Sequence, residues 1–187
     1  DRRRWSEMPE RAESLVIGYF AGCFLTAAIV ARVAKGRNIR EIGTGNPGMA
    51  NVMANIGKKA GVIVLLGDIL KTVLGMGMAW ALFGASLGRN AFLWSGLGCV
   101  LGHNFPFWCK GKGGKGVTVT CSWLIVLMPI WGSLSCILGG LLTLQTGYLP
   151  LGAVVIPATA IPFAIWKLGR EGFLLIALGE LIMISRH

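Results

Sequence analysis

Charged residues are scarce in this 187-residue chain: Asp, Glu, Lys and Arg make up 14%, whereas 54% of the residues are hydrophobic. A typical soluble domain is about a quarter charged. The longest gap, from Val117 to Trp166, is 50 residues without one charged side chain, and a bilayer crossing needs only about 20 apolar residues. The composition therefore excludes a soluble domain, a disordered tail and a single-pass anchor, and it predicts an all-α polytopic membrane protein.

Metal-binding residues are also few. The only histidines are His103 and His187, and the cysteines show no C-x-x-C spacing. The cysteines lie one to an apolar stretch, at Cys23, Cys99, Cys109, Cys121 and Cys136. We therefore predict free structural thiols and expect no zinc site, no disulfide framework and no cofactor.

Glycine, in contrast, is plentiful, and together with proline it divides the apolar sequence into spans. Seven short transmembrane helices are predicted, at 15–31, 60–87, 91–109, 117–131, 133–147, 150–166 and 172–184. Gly18 and Gly22 form a G-x-x-x-G pair that would let another helix approach closely. We expect residues 1–14 to form a basic N-terminal tail and 15–187 to form a single membrane domain that is truncated at its C-terminus.

The distribution of basic residues predicts the orientation. With seven spans, the loops after spans one, three, five and seven carry ten Lys and Arg, against three on the other side, or seven with the N-terminal tail. The positive-inside rule then places the two large loops and the C-terminus in the cytoplasm. We thus expect the basic residues behind the net charge of +10 to contact the membrane interface and to bind small anions, and we predict no nucleic-acid partner.

The first large loop contains a glycine-rich motif, Gly43-Thr44-Gly45-Asn46-Pro47-Gly48, followed by Met49-Ala50-Asn51. A dinucleotide fingerprint of this form needs a preceding strand and a βαβ unit, and here a basic loop precedes and a membrane helix follows. Closely spaced glycines allow backbone N–H groups to converge on a phosphate. The motif alone leaves phosphate binding and a flexible turn open.

The second loop contains Gly102-His103-Asn104-Phe105-Pro106 and then Gly111-Lys112-Gly113-Gly114-Lys115-Gly116. The segment is not a Walker A loop, because Cys109 stands where the first glycine should be and no Ser or Thr follows the lysine. Two lysines among four glycines at the start of a membrane span favour a cationic phosphate nest. A loop that only anchors topology would explain the lysines but not the glycines.

Three polar features accompany these loops. His103 and His187 both fall on the predicted cytoplasmic side, where each is either a structural histidine or part of a site. Asp68 and Lys71 lie three residues apart on one face of span two. Because charges are costly in hydrocarbon, we expect a buried ion pair, either as a helix lock or as support for chemistry.

At these residues the sequence resembles the bacterial acyl-phosphate:glycerol-3-phosphate acyltransferase family, which are polytopic membrane enzymes of phospholipid synthesis. The family pattern G-S-G-N-x-G-A-T-N is similar to Gly43–Asn51, and G-H-x-F-P with K-G-G-K-G-V is similar to 102–106 and 112–117. The family pair D-x-x-K is similar to Asp68 and Lys71, and a third motif that begins R-H is matched by Arg186 and His187. The departures are Thr44 for serine, Ala50 for threonine, Ala54 for arginine and Pro150 for serine.

The resemblance implies a plasma-membrane acyltransferase that faces the cytoplasm and takes acyl phosphate and glycerol 3-phosphate as substrates. Thr44, Asn46 and His187 are the expected catalytic residues, with Asp68 and Lys71 as support. Substrate binding is expected at Gly43, Gly45, Gly48, Asn51, His103, Lys112, Gly113, Gly114, Lys115 and Gly116. The alternatives are a relative with altered specificity or without activity, and a transporter of anions or lipids.

Overall fold

The computed structural model describes residues 5–186. In this range the fold is all-α, as the sequence predicts, and two short 3₁₀ helices, Ile39–Glu41 and Phe107–Cys109, lie in the large loops. The helices that position the site are α1 (Met8–Gly22), α2 (Thr26–Lys35), α3 (Met49–Asn55), α4 (Lys58–Leu87), α5 (Arg89–Asn104), α6 (Val117–Leu127), α7 (Pro129–Thr146) and α8 (Leu149–Ser185).

In helix α4 the distribution of polar and apolar side chains is the reverse of that in a helix of a soluble protein. Its exposed positions carry large apolar side chains such as Leu66 and Val73, whereas Asp68, Lys71 and Thr72 are buried. Apolar side chains outside and ionisable ones inside are the arrangement that a helix surrounded by hydrocarbon needs.

Three helical stretches in the described part of the chain are long and apolar enough to cross a bilayer: Met8–Lys35, Lys58–Leu87 and Leu149–Ser185. The other predicted spans coincide with the shorter helices α5, α6 and α7. The count of seven crossings stays a prediction.

Helix α8 is interrupted at Gly169, whose backbone angles, φ 70° and ψ −168°, are not helical. An unbroken helix of 37 residues would be about 55 Å long, well beyond the ~30 Å hydrocarbon layer. The interruption lies in the polar segment that the sequence predicts between the last two spans.

Helices α1 and α5 pack unusually closely through glycines. A Cβ on Gly18 or Gly22 of α1 would collide with the backbone of α5, and a Cβ on Gly98 or Gly102 of α5 would collide with the backbone of α1. Both pairs follow the G-x-x-x-G spacing that lets backbones approach in membranes. The close approach predicted for Gly18 and Gly22 is confirmed.

The first predicted span, 15–31, is not one continuous helix, because α1 and α2 are separated by a short unwound segment. Side chains from elsewhere satisfy its carbonyl groups. Lys71 Nζ donates to the carbonyls of Gly22 at 3.3 Å and Phe24 at 2.7 Å. The indole N–H of Trp108 donates to the carbonyl of Cys23. Unsatisfied carbonyls are costly in a membrane, so the break depends on residues distant in sequence.

Within the predicted N-terminal tail, residues 8–14 are helical, because α1 begins at Met8. Arg11 lies within this helix, and its guanidinium is 2.9 Å from a Glu7 carboxylate oxygen and 2.5 Å from one of Glu171. Arg11 is therefore buried and paired with carboxylates, whereas the sequence alone predicts that it is exposed to solvent. Residues 1–4 lie outside the described range.

The apolar core lies between α5, α6 and α8. Trp123 of α6 is fully buried there, and its indole N–H donates to the carbonyl of Phe92 on α5 at 3.2 Å. A Cβ on Gly96 would collide with the indole ring. This packing fixes the start of α6 beside the end of α5, where the two glycine loops meet.

Candidate active site

The first glycine loop is folded around the side chain of Asn51. Its amide nitrogen donates to the carbonyl of Asn46 at 3.0 Å, and its amide oxygen accepts from the backbone N–H of Thr44 at 3.0 Å. Gly43 and Gly45 have φ of 55° and 72°, a region that residues with side chains rarely adopt. The polar atoms of Asn51 are thus used to shape the loop.

The second glycine loop is fastened to the C-terminal end of α5. The N–H groups of Gly113 and Gly114 donate to the carbonyl oxygens of Asn104 and His103, each at 2.9 Å. A Cβ on either glycine would collide with this helix end. The glycines therefore permit the loop to cap α5, and Asn104 is a structural contributor that the sequence analysis missed although it lies inside the motif.

The backbone of residues 111–114 does not form the open phosphate nest that the sequence predicts. The N–H groups of Gly111, Lys112, Gly113 and Gly114 all donate to protein carbonyls. The loop then ends at Gly116, with φ 85°, which leads directly into α6. The first N–H groups of a helix have no acceptor within it, and the positive end of the helix dipole favours an anion.

Arg40 joins the two loops. Its Nη1 donates to the carbonyl of Gly45 at 3.0 Å, and its Nη2 donates to the carbonyl of Gly113 at 3.4 Å. Partial burial lowers the pKa of Arg40, and Arg186 nearby adds to the lowering, but a guanidinium titrates so far above neutral pH that it stays charged. In the sequence, nothing around Arg40 distinguishes it from neighbouring basic residues, so its role in joining the loops was not predicted.

Asp68, Lys71 and His103 form a buried polar cluster between α4 and α5. Lys71 Nζ lies 2.9 Å from Asp68 Oδ1 and 2.8 Å from His103 Nδ1. The three residues are only 3%, 6% and 3% exposed. The predicted ion pair of Asp68 and Lys71 is confirmed, and its contact with His103 is an addition that only the fold supplies.

A cavity of about 410 Å³ opens where the loops meet this cluster. Six of the predicted site residues line it: Asn46, Gly48, Asp68, His103, Lys115 and Gly116. The other predicted residues that the structure describes do not line it: Gly43, Thr44, Gly45, Asn51, Lys71, Lys112, Gly113 and Gly114. His187 lies outside the described residues.

From its polar end the cavity continues as an apolar arm between α6, α7 and α8. On each helix the lining residues, some of them adjacent pairs, recur every three or four positions and so share one face. They are Val117, Thr118 and Cys121 of α6; Cys136, Gly139, Gly140, Thr143 and Leu144 of α7; and Leu149, Gly152, Ala153 and Ile156 of α8. Small side chains leave the space open. This arm was not predicted from the sequence, although glycines at helical spacing were a signal for it.

Cys121 and Cys136 of this arm are free thiols, as are the other three cysteines. Within residues 5–186, no group of three or more His, Cys, Asp or Glu side chains could hold a metal ion.

Comparison with known proteins identifies the family. The model of the glycerol-3-phosphate acyltransferase family matches residues 13–187. Curated relatives with this name include one from Lactobacillus johnsonii, 37% identical over 171 residues that cover 91% of this chain and 82% of the relative. Another, from Brucella suis, is 36% identical over 177 residues that cover 93% of this chain and 84% of the relative.

The fold is similar to that of PlsY (YgiH), an integral membrane glycerol 3-phosphate acyltransferase. Its crystal structure in the glycerol 3-phosphate form has a TM-score of 0.82 and 26% sequence identity, covering 95% of this chain and 88% of that chain. The form with lysophosphatidic acid has a TM-score of 0.80. Together with the family match and the apolar helices, this likeness shows that the chain is an integral membrane protein that belongs to the glycerol-3-phosphate acyltransferase family.

Proposed function

We propose that this protein transfers a fatty acyl group from acyl phosphate to the 1-hydroxyl of glycerol 3-phosphate, giving lysophosphatidate and inorganic phosphate. The observation that carries the proposal is a single cavity whose polar end holds Lys115 and His103 and whose other end is an apolar arm between three helices. An acyl phosphate has the same division into an anionic head and a hydrocarbon tail. The family membership supports glycerol 3-phosphate as the acceptor.

The polar end suits two phosphate groups. Lys115 and Gly116 line it at the start of α6, where the lysine charge and the helix dipole both favour an anion. Asn46, from the first loop, lines the same end and offers an amide to the acceptor or to the acyl carbonyl. Groups fixed in place before the reaction stabilise developing charge without reorganisation.

The acyl group needs no further activation, because acyl phosphate is already an activated donor. The 1-hydroxyl oxygen forms a bond to the acyl carbonyl carbon, and the carbonyl–phosphate bond then breaks, so that phosphate leaves with the electron pair. The hydroxyl proton passes either to His187 as general base or to the departing phosphate. No step in this sequence calls for a metal or a nucleotide.

The apolar arm is the proposed acyl-chain site. Gly140, where an added Cβ would meet nothing within 4 Å, leaves the arm open on the α7 side, whereas Gly139 and Gly152 let α7 and α8 pack closely along it. Burying a chain there removes apolar surface from water at about 25 cal/mol per Å². The arm therefore selects a long acyl donor and keeps its carbonyl beside the polar end.

The proposed location is the bacterial plasma membrane, with both glycine loops on the cytoplasmic face. The excess of Lys and Arg in the two large loops supports this orientation. Cytoplasmic access also suits glycerol 3-phosphate, because a small, highly charged acceptor cannot reach the cavity through hydrocarbon.

Donor and acceptor specificity test the function. Purified protein in nanodiscs is supplied with palmitoyl phosphate or palmitoyl-CoA, and with glycerol 3-phosphate or glycerol. We expect lysophosphatidate only from palmitoyl phosphate with glycerol 3-phosphate. No product with any pair would indicate an inactive relative, product with glycerol would indicate altered specificity, and uptake of glycerol 3-phosphate into sealed liposomes without acylation would indicate a transporter.

A further inference from the structure

Lys71 does not line the cavity, yet it contacts a residue that does. Its ammonium lies within hydrogen-bonding distance of three acceptors outside its own helix: the Gly22 carbonyl at 3.3 Å, the Phe24 carbonyl at 2.7 Å and His103 Nδ1 at 2.8 Å. An ammonium has three N–H donors and no acceptor. Its three donors are therefore shared among these atoms and Asp68 Oδ1, which lies 2.9 Å away on its own helix.

Asp68 has a different part in this cluster. Its Oδ1 lies 2.9 Å from Lys71 Nζ and carries the opposite charge, so the two side chains form a buried ion pair. Asp68 supplies the counter-charge that an ammonium buried between helices needs.

The contact with Lys71 fixes the state of the His103 ring. Because the ammonium can only donate, Nδ1 must accept and cannot carry a proton. In a neutral imidazole the other nitrogen, Nε2, then carries the proton. Nε2 faces Gly114, at a place where an added Cβ would collide with it, and His103 lines the polar end of the cavity.

We infer that Lys71 is a positioning residue that holds His103 as an Nε2–H donor toward a phosphate group of the substrate. The part played by the substrate rests on the proposed function, whereas the state of the ring does not. A charged lysine beside Nδ1 also prevents a second proton from binding there, because two cations 2.8 Å apart would repel strongly. His103 Nε2–H thus stays a hydrogen-bond donor throughout the reaction.

The test is the nitrogen NMR spectrum of protein labelled with ¹⁵N-histidine, in nanodiscs and without substrate. The chain has only two histidines, so the signals that His103→Gln removes belong to His103. We expect a bare Nδ1 and a protonated Nε2 in the wild type. A proton on Nδ1, with or without one on Nε2, would overturn the inference even if the enzyme is active.

Lys71→Met gives the second measurement. Without the donor, we expect His103 to show both neutral forms, inorganic phosphate to perturb its Nε2–H signal less, and kcat/KM for glycerol 3-phosphate to fall about tenfold or more. An unchanged ring state in a folded Lys71→Met protein would also overturn the inference. If this variant does not fold, the wild-type spectrum still decides.

Thr72→Val is the matched control. Thr72 is buried on the same turn of α4, but its hydroxyl donates to the Asp68 carbonyl of its own helix, at 2.7 Å. This variant should keep the wild-type ring state. If it changed the ring state as Lys71→Met does, loosening of α4 would explain both results and the inference would fail. Absence of acyl transfer in the wild type, with the expected ring state, would count against the proposed function alone.

Discussion

Arg40 donates a hydrogen bond from Nη2 to the carbonyl of Gly113, 73 residues further along the chain. Its Nη1 donates at the same time to Gly45, so that one planar guanidinium holds both glycine loops in a fixed relation. Asn46 reaches the cavity from the first loop and Lys115 from the second. The distance between these two groups therefore depends on Arg40.

Arg40→Lys should lower kcat/KM about tenfold to a hundredfold, because a single ammonium does not reproduce the fork and a small misplacement of catalytic groups is costly. Steady-state kinetics with both substrates measure the effect. The control is Arg37→Lys, since Arg37 is exposed and contacts Glu41 of its own loop. Equal rates in the two variants would show that the loops hold their relation without Arg40.

Gly114→Ala should inactivate the enzyme without preventing insertion. The added methyl group would collide with the His103 ring, and either the ring or the loop must move by an amount that transition-state positioning does not tolerate. Gly77→Ala is the control, because a Cβ there meets nothing within 4 Å. Activity and thermal stability should be measured together. An active Gly114→Ala protein would mean that His103 can shift without consequence.

Much of the fold could be predicted because membrane helices are recognisable from their apolar composition. The apolar stretches, the G-x-x-x-G pair in α1 and the Asp68–Lys71 pair each depend on residues close together in sequence. Both glycine motifs were also visible, and the two loops do meet at one cavity.

What the sequence could not predict depends on contacts between distant segments. The break after α1 exists because Lys71 and Trp108 satisfy its carbonyls. The expected phosphate nest is instead largely a cap for α5, because only the fold brings the carbonyls of His103 and Asn104 to the glycine amides. The role of Arg40 was missed for the same reason.

Gly140→Leu should shift the donor preference toward shorter acyl chains. Gly140 lines the apolar arm, and a Cβ there meets nothing within 4 Å, so a larger side chain would occupy the cavity without a clash. We expect the ratio of kcat/KM for palmitoyl phosphate to that for a shorter acyl phosphate to fall about tenfold or more. Gly77→Leu, outside the cavity, should leave the ratio unchanged. An unchanged ratio in Gly140→Leu would remove the arm from the acyl site.

The orientation can be tested with single cysteines at positions 58, 89 and 112 in a cysteine-free background. With both large loops in the cytoplasm, a membrane-impermeant thiol reagent added to intact cells should label position 89 and spare 58 and 112. All three should be labelled after permeabilisation. Labelling of 58 and 112 from opposite sides would be incompatible with one cavity built from both loops.

Formation of lysophosphatidate by the purified full-length protein, from palmitoyl phosphate and glycerol 3-phosphate, tests the central proposal most directly when released phosphate is measured in the same reaction. Equal amounts of the two products are expected. Lys115→Ala should reduce both at least about tenfold, because it removes a charge from the polar end of the cavity. Lys112→Ala should have a smaller effect, because Lys112 is exposed and does not line the cavity. Absence of product from the wild type, or an undiminished rate in Lys115→Ala, would contradict acyl transfer at this site.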